Sequence, residues 1–295
     1  MPSTSTLDYT PRLSRRQHRG MVFASVCFVA TVFGIVVLTA LIVDVAITGL
    51  TWLNWQFLTE FPSRNPSEAG ILSAIVGSLW LMGLTALFSV PLGVGAAIYL
   101  EEYASQGWFL RIVQVNIANL AGVPSVIYGI LGLALFVRYF AFERSLLAGS
   151  LTMSLLILPI IVISTQEALR SVPDSLRDAA FALGATRWQV IYSHVLPAAL
   201  PGILTGVILS LSRAIGETAP LIMIGALTFI AFVPQGVMDA FTVLPIQIFN
   251  WTARPQAEFQ NLAAAAILVL MVFLFFMNLS AILLRNYYEG NRASD

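Results

Sequence analysis

Long apolar stretches without a charge alternate with shorter polar connections along the chain. The stretches are Met21–Val43, Ile71–Leu100, Ile112–Val137, Ser145–Gln166, Trp188–Ser212 continuing past Arg213, and Phe259–Leu284. Each reaches or exceeds the roughly 20 residues that a helix needs to cross a bilayer. In the fifth, a surface helix takes up the first part, so the span proper starts near Ala199. The pattern predicts an all-α membrane protein with six transmembrane helices.

One connection is more than a link. Residues 167–198 include DAAFALGATRWQVIYSHVLP, from Asp178 to Pro197, partly charged and set between two apolar runs. Its signals predict two small helices joined at a glycine. Ser171 can cap the first, with Asp174 three residues on. Gly184 can end it in the left-handed conformation that other residues adopt at a cost. Thr186-Arg187-Trp188-Gln189 offers a capping box for the second. Leu196-Pro197 and Leu200-Pro201 then lead into the next span. Two readings stand: a hairpin lying on the lipid surface, or a docking surface for another protein.

Composition narrows the class. The chain is 58% hydrophobic and 10% charged, which excludes an ordinary soluble domain. Arginine placement sets the orientation. With the N-terminus inside, the inner side holds Arg12, Arg15, Arg16, Arg19, Arg111, Arg170, Arg177, Arg187, Arg285 and Arg292. The outer side holds Arg64, Arg138, Arg144 and Arg254. This bias follows the positive-inside rule, so both termini and the Asp178 connection are expected in the cytoplasm. The first run is too long for a signal-peptide core and is read as a retained span.

All 15 basic residues are arginines. A phosphate-cradling ATPase loop needs a lysine to reach the terminal phosphates. Any ATP-driven role therefore needs a separate nucleotide-binding subunit. The single Cys27 cannot form an internal disulfide, and two histidines far apart suggest no metal site. With no nucleophile–base motif, the chain is not expected to be an enzyme.

Charge inside the fifth span is the second feature, at SRAIGETAPL from Ser212 to Leu221. Arg213 falls about 14 residues, roughly 21 Å, into a helix starting near Ala199. Glu217 follows one turn later. Pro220 cannot bond the Gly216 carbonyl, so the helix should bend there. The pair can be purely structural, neutralising itself. It can equally line a pathway, because ionisable groups facing lipid are so unfavourable. An arginine fork suits an oxyanion through two parallel hydrogen bonds.

Spacing brings in a resemblance. Asp178-Ala179-Ala180, three residues, Gly184, then Leu196-Pro197 in register resemble the "EAA" loop of binding-protein-dependent ABC importer permeases. Asp178 stands for the usual glutamate and His194 for the usual isoleucine. Further matches resemble phosphate permeases of the PstA type: Ala69–Ile71 with Ala74–Leu79, Ala97–Ala104, Val123–Gly129, and Arg213–Leu221. The match covers about residues 66–284.

The resemblance implies the type I (MetI-like) importer permease fold in the bacterial inner membrane. It implies a coupling role for Asp178, Ala179, Ala180, Gly184, Leu196 and Pro197, and an anion pathway at Arg213 and Glu217. The implied substrate is inorganic phosphate. The implied partners are a second homologous permease, an ATPase dimer that uses the ATP, and a periplasmic or lipid-anchored phosphate-binding protein. No cofactor is implied in this chain, and no nucleic acid. The rivals are a permease for sulfate, molybdate or phosphonate, an ion-coupled secondary transporter, and a non-transporting scaffold or sensor.

The remaining features have plainer readings. Pro91 and Pro124, beside glycines, mark bent or closely packed helices. Glu101-Glu102 are expected in a solvated inner loop. Trp52, Trp55, Trp80, Trp108 and Trp251 are expected at membrane interfaces. Residues 51–66 and 232–260 are candidate surfaces for a delivering binding protein. The domain plan is a flexible tail at 1–19, a first helix and outer loop at 20–65, a permease domain at 66–284, and a tail at 285–295.

Overall fold

A computed structural model describes residues 13–105, 107–226 and 229–290. The tails expected at 1–12 and 291–295 lie outside the described residues. Helix α1 runs Leu13–Leu50, and short α2 covers Trp55–Thr59. Next come α3 (Leu72–Ile98), α4 (Trp108–Ala121), α5 (Ser125–Gly132) and α6 (Leu146–Arg170). The hairpin holds α7 (Asp174–Ala182) and α8 (Arg187–Val190), followed by α9 (Leu196–Ile215) and α10 (Ala219–Ile224). The chain closes with α11 (Leu244–Thr252) and α12 (Ala257–Gly290). Residues 13–19 and 285–290, expected in tails, are helical.

Among the described residues, five helices are long and apolar enough to cross a membrane, and a sixth span arises if α4 and α5 count as one. Within Ile112–Val137 a bend or close packing was expected at Pro124. The span is broken there, with α4 and α5 bent by 101°. The cause is local. Gly122 ends α4, and Pro124, at the N-cap of α5, has no N–H for a continuing ladder. Pro91 behaves differently, since α3 continues through it.

The centre of the bundle is α6, whose most apolar stretch is 67% buried. It packs along α3 through small and hydroxylated residues, which let helices approach closely. Ser154 donates to the Thr85 carbonyl at 3.2 Å and to the Ser150 carbonyl at 2.7 Å. Gly93 lies against Ile161, and Gly132 against Thr152, where a larger residue would collide. A second core joins α2, α11 and α12 around Phe57 and Trp251, whose rings are 5.9 Å apart. Trp251 is fully buried. The expectation of an interfacial Trp251 is thus corrected: α11 folds back onto α12 and encloses the indole.

Candidate functional site

The hairpin is built from short-range rules. Helix α7 ends in a Schellman motif: Ala185 N–H donates to the Ala180 carbonyl and Gly184 N–H to the Phe181 carbonyl. Gly184 makes this possible with φ of 83°. Thr186 and Gln189 form the capping box that starts α8. Ser171 does not cap α7. It closes α6 and donates its hydroxyl to the Ala168 carbonyl, while Pro173 takes the N-cap position.

The second limb is not a separate helix. Residues Arg187–Ile215 form one continuous helix, passing through a π turn at Ile191–Val195. Leu196 N–H reaches back to Ile191. Pro197 and Pro201, which have no N–H, sit in the first turns of α9 without breaking it. Asp178, Ala179, Gly184 and His194 are exposed, and Ala180 and Val195 are buried against the bundle. Pro197 is exposed and Leu196 half-buried. Around Asp178 the hairpin exposes Leu176, Phe181, Leu183, Trp188 and Tyr192, with Leu183 at 90%.

The base of the hairpin is held by charge. A π turn at Tyr99–Tyr103 extends α3 and carries Glu101 and Glu102. Glu101 accepts two hydrogen bonds from Arg170, at 2.8 and 2.9 Å, in a fork-to-fork pair. Glu102 accepts from Arg177 at 2.9 Å, with side chains only 11% and 16% exposed. Arg177 also donates to the carbonyls of Leu169 and Val172 at the end of α6, and to Asp174. Arg187 stacks over the Tyr103 ring, 5.5 Å from its centre. The two glutamates therefore do not form a solvated loop. Their partners are distant in sequence, so only the packing of α3 on α6 brings them together.

Arg213 lies in the last turn of α9, where a cation complements the helix dipole. The expected bend at Pro220 is a full break. Helix α9 ends at Gly216, and α10 restarts with Pro220 in its first turn, where a missing N–H is harmless. The Arg213 Nε to Glu217 Oε1 distance is 3.7 Å, an ionic contact too long for a hydrogen bond. Arg213 is 56% exposed and Glu217 20%. Beside them, Ser212 donates to Asn278 at 2.6 Å, fastening α9 to α12. Gly129, one turn past the start of α5, lies against Pro220 and Met223 of α10.

Residues 89–289 match the family model described as the binding-protein-dependent transport system inner membrane component. The chain belongs to this family. The permease is 38% identical over 230 residues to the phosphate transport system permease protein PstA of Mycobacterium leprae, covering 77% of this chain and 74% of that protein. It is 31% identical over 267 residues to the protein of the same description from Yersinia pestis, covering 90% of each. The probable ABC transporter permease protein YqgI of Bacillus subtilis is 31% identical over 259 residues, covering 83% of this chain and 87% of that protein.

Among solved structures, a bacterial alginate ABC transporter chain superposes with a TM-score of 0.65 at 19% identity, covering 92% of this permease and 96% of that chain. The inward-facing MetNI methionine ABC transporter gives 0.57 at 17% identity, covering 74% and 94%. The fold is that of a type I ABC importer permease. Permeases of this family are multi-pass transport subunits and not enzymes, and they work with separate ATP-binding and substrate-binding proteins.

Proposed function

We propose that this permease imports inorganic phosphate as one of two homologous membrane subunits, with an ATPase dimer and a phosphate-binding protein. The observation that carries phosphate is the set of relatives described as phosphate permeases, which match at 31–38% identity over most of the chain. A lone guanidinium would suit other oxyanions equally.

In this reading the hairpin and both termini face the cytoplasm, as the arginine bias favours. The exposed apolar residues around Asp178 and Gly184 enter a groove of the ATPase. Closure of the ATPase pair moves the hairpin and switches the spans between outward and inward access. Arg213 offers its fork to the passing anion. Glu217, in ionic contact but not hydrogen-bonded, holds the arginine when the pathway is empty.

The test is phosphate uptake in cells that depend on this importer. Arg213→Ala should assemble normally and lose uptake about tenfold or more, the scale of one charged hydrogen-bonding partner. Uptake at the unaltered rate would remove Arg213 from the pathway.

A further inference from the structure

Three consecutive residues at the end of α3 each meet one arginine of the hairpin region. Glu101 holds Arg170 at the end of α6, Glu102 holds Arg177 in α7, and Tyr103 lies under Arg187 at the start of α8. In a regular α-helix three successive side chains fan around the axis. The π turn at Tyr99–Tyr103 widens the coil locally, and from it the three side chains reach α6, α7 and α8 in turn.

Helix α3 is remote from the hairpin along the chain, yet it is fastened to it at three points. Its upper part meets the other site. Ser78, Leu81 and Met82 share the walls of a small cavity with Ala214 and Ile215, the residues directly after Arg213. From Glu101 back to Leu81 is roughly 30 Å of helix. The whole stretch Leu72–Tyr103 is continuous.

We infer that Glu101 and Glu102 are positioning residues that clasp α3 to the hairpin, so that α3 carries hairpin movement to the Arg213 turn. This rests on the coupling role proposed for the hairpin. Helices α6 and α9 move with the hairpin because they are its covalent neighbours. Helix α3 packs along α6, and the clasp ties its inner end directly to the hairpin. Arg177 is its hub, since one guanidinium joins Glu102, Asp174 and the carbonyls of Leu169 and Val172.

The experiment uses the complete complex in proteoliposomes and reads phosphate taken up per ATP hydrolysed. In Glu101→Gln/Glu102→Gln, the ATPase should remain bound while that ratio falls at least about fivefold, the scale of an allosteric coupling. Exchanging one pair, Glu101→Arg with Arg170→Glu, should restore the ratio lost in either single change, because mutual restoration is the signature of direct coupling. An unaltered ratio in the glutamine variant overturns the clasp. Loss of the ATPase from that variant also overturns it, since the pairs would then serve docking and not transmission. Leu183→Arg tests the underlying reading separately. It should release the ATPase, and retention there would sink the hairpin's coupling role itself.

Discussion

At the scale of single residues, closeness of approach decides much of the structure. A Cβ on Gly129 would stand 2.7 Å from the Pro220 Cα and 2.8 Å from the Met223 Cβ. Backbone and side-chain stems cannot swing aside as a flexible tip could. Gly129→Val should therefore lower the stability of the purified permease by about 1–3 kcal/mol, read as a lower melting temperature. An unchanged melt would mean that α5 and α10 can part without penalty. Sequence made Arg213, Glu217 and the Asp178–Gly184 spacing legible, because charge in a span and a fixed motif are visible in one dimension. It hid Glu101 and Glu102. Two acids after an apolar run look solvated until α3 is laid beside α6, and their arginines are 69 and 75 positions away.

At the scale of elements, apolar length gives the existence of the spans but not their direction. Hydropathy is the same for a straight helix and for α4 and α5 bent by 101°. Glycine and proline marked the place, and the angle comes from how each half packs: α4 through Leu110 with Ala97 and Val162, α5 through Gly129 on α10. The hairpin's turn was legible because capping chemistry is local. Its continuity with α9 was not, because prolines suggested an interruption that a π turn absorbs. The Thr186 cap carries a specific expectation. Thr186→Ala should cost about 1 kcal/mol at the start of α8, seen as roughly fivefold faster hydrogen exchange at Gln189. Equal exchange rates would show that packing alone holds this limb.

At the scale of the whole molecule, two ends can be told apart. Asp178 is exposed at the hairpin end, and Thr59 is exposed at the other, beside the start of α3. Cys27 is the only cysteine, so Cys27→Ser gives a clean background. In intact cells a membrane-impermeant thiol reagent should label Thr59→Cys and leave Asp178→Cys untouched until the cells are opened. Labelling of Asp178→Cys from outside would invert the topology. Helix α1 reaches the body only late in its course, where Gly49 closes on the backbone of Ala264 and Ala265. Its charge-free run, Met21–Val43, is 23 residues, or roughly 35 Å of helix. The hydrocarbon layer is only about 30 Å thick. A rod of that length spans the layer with some lean, and it stands apart from the body until Gly49. The protein thus sweeps more bilayer area than its packed body covers, and a lipid nanodisc cut to the girth of the bundle would crowd it.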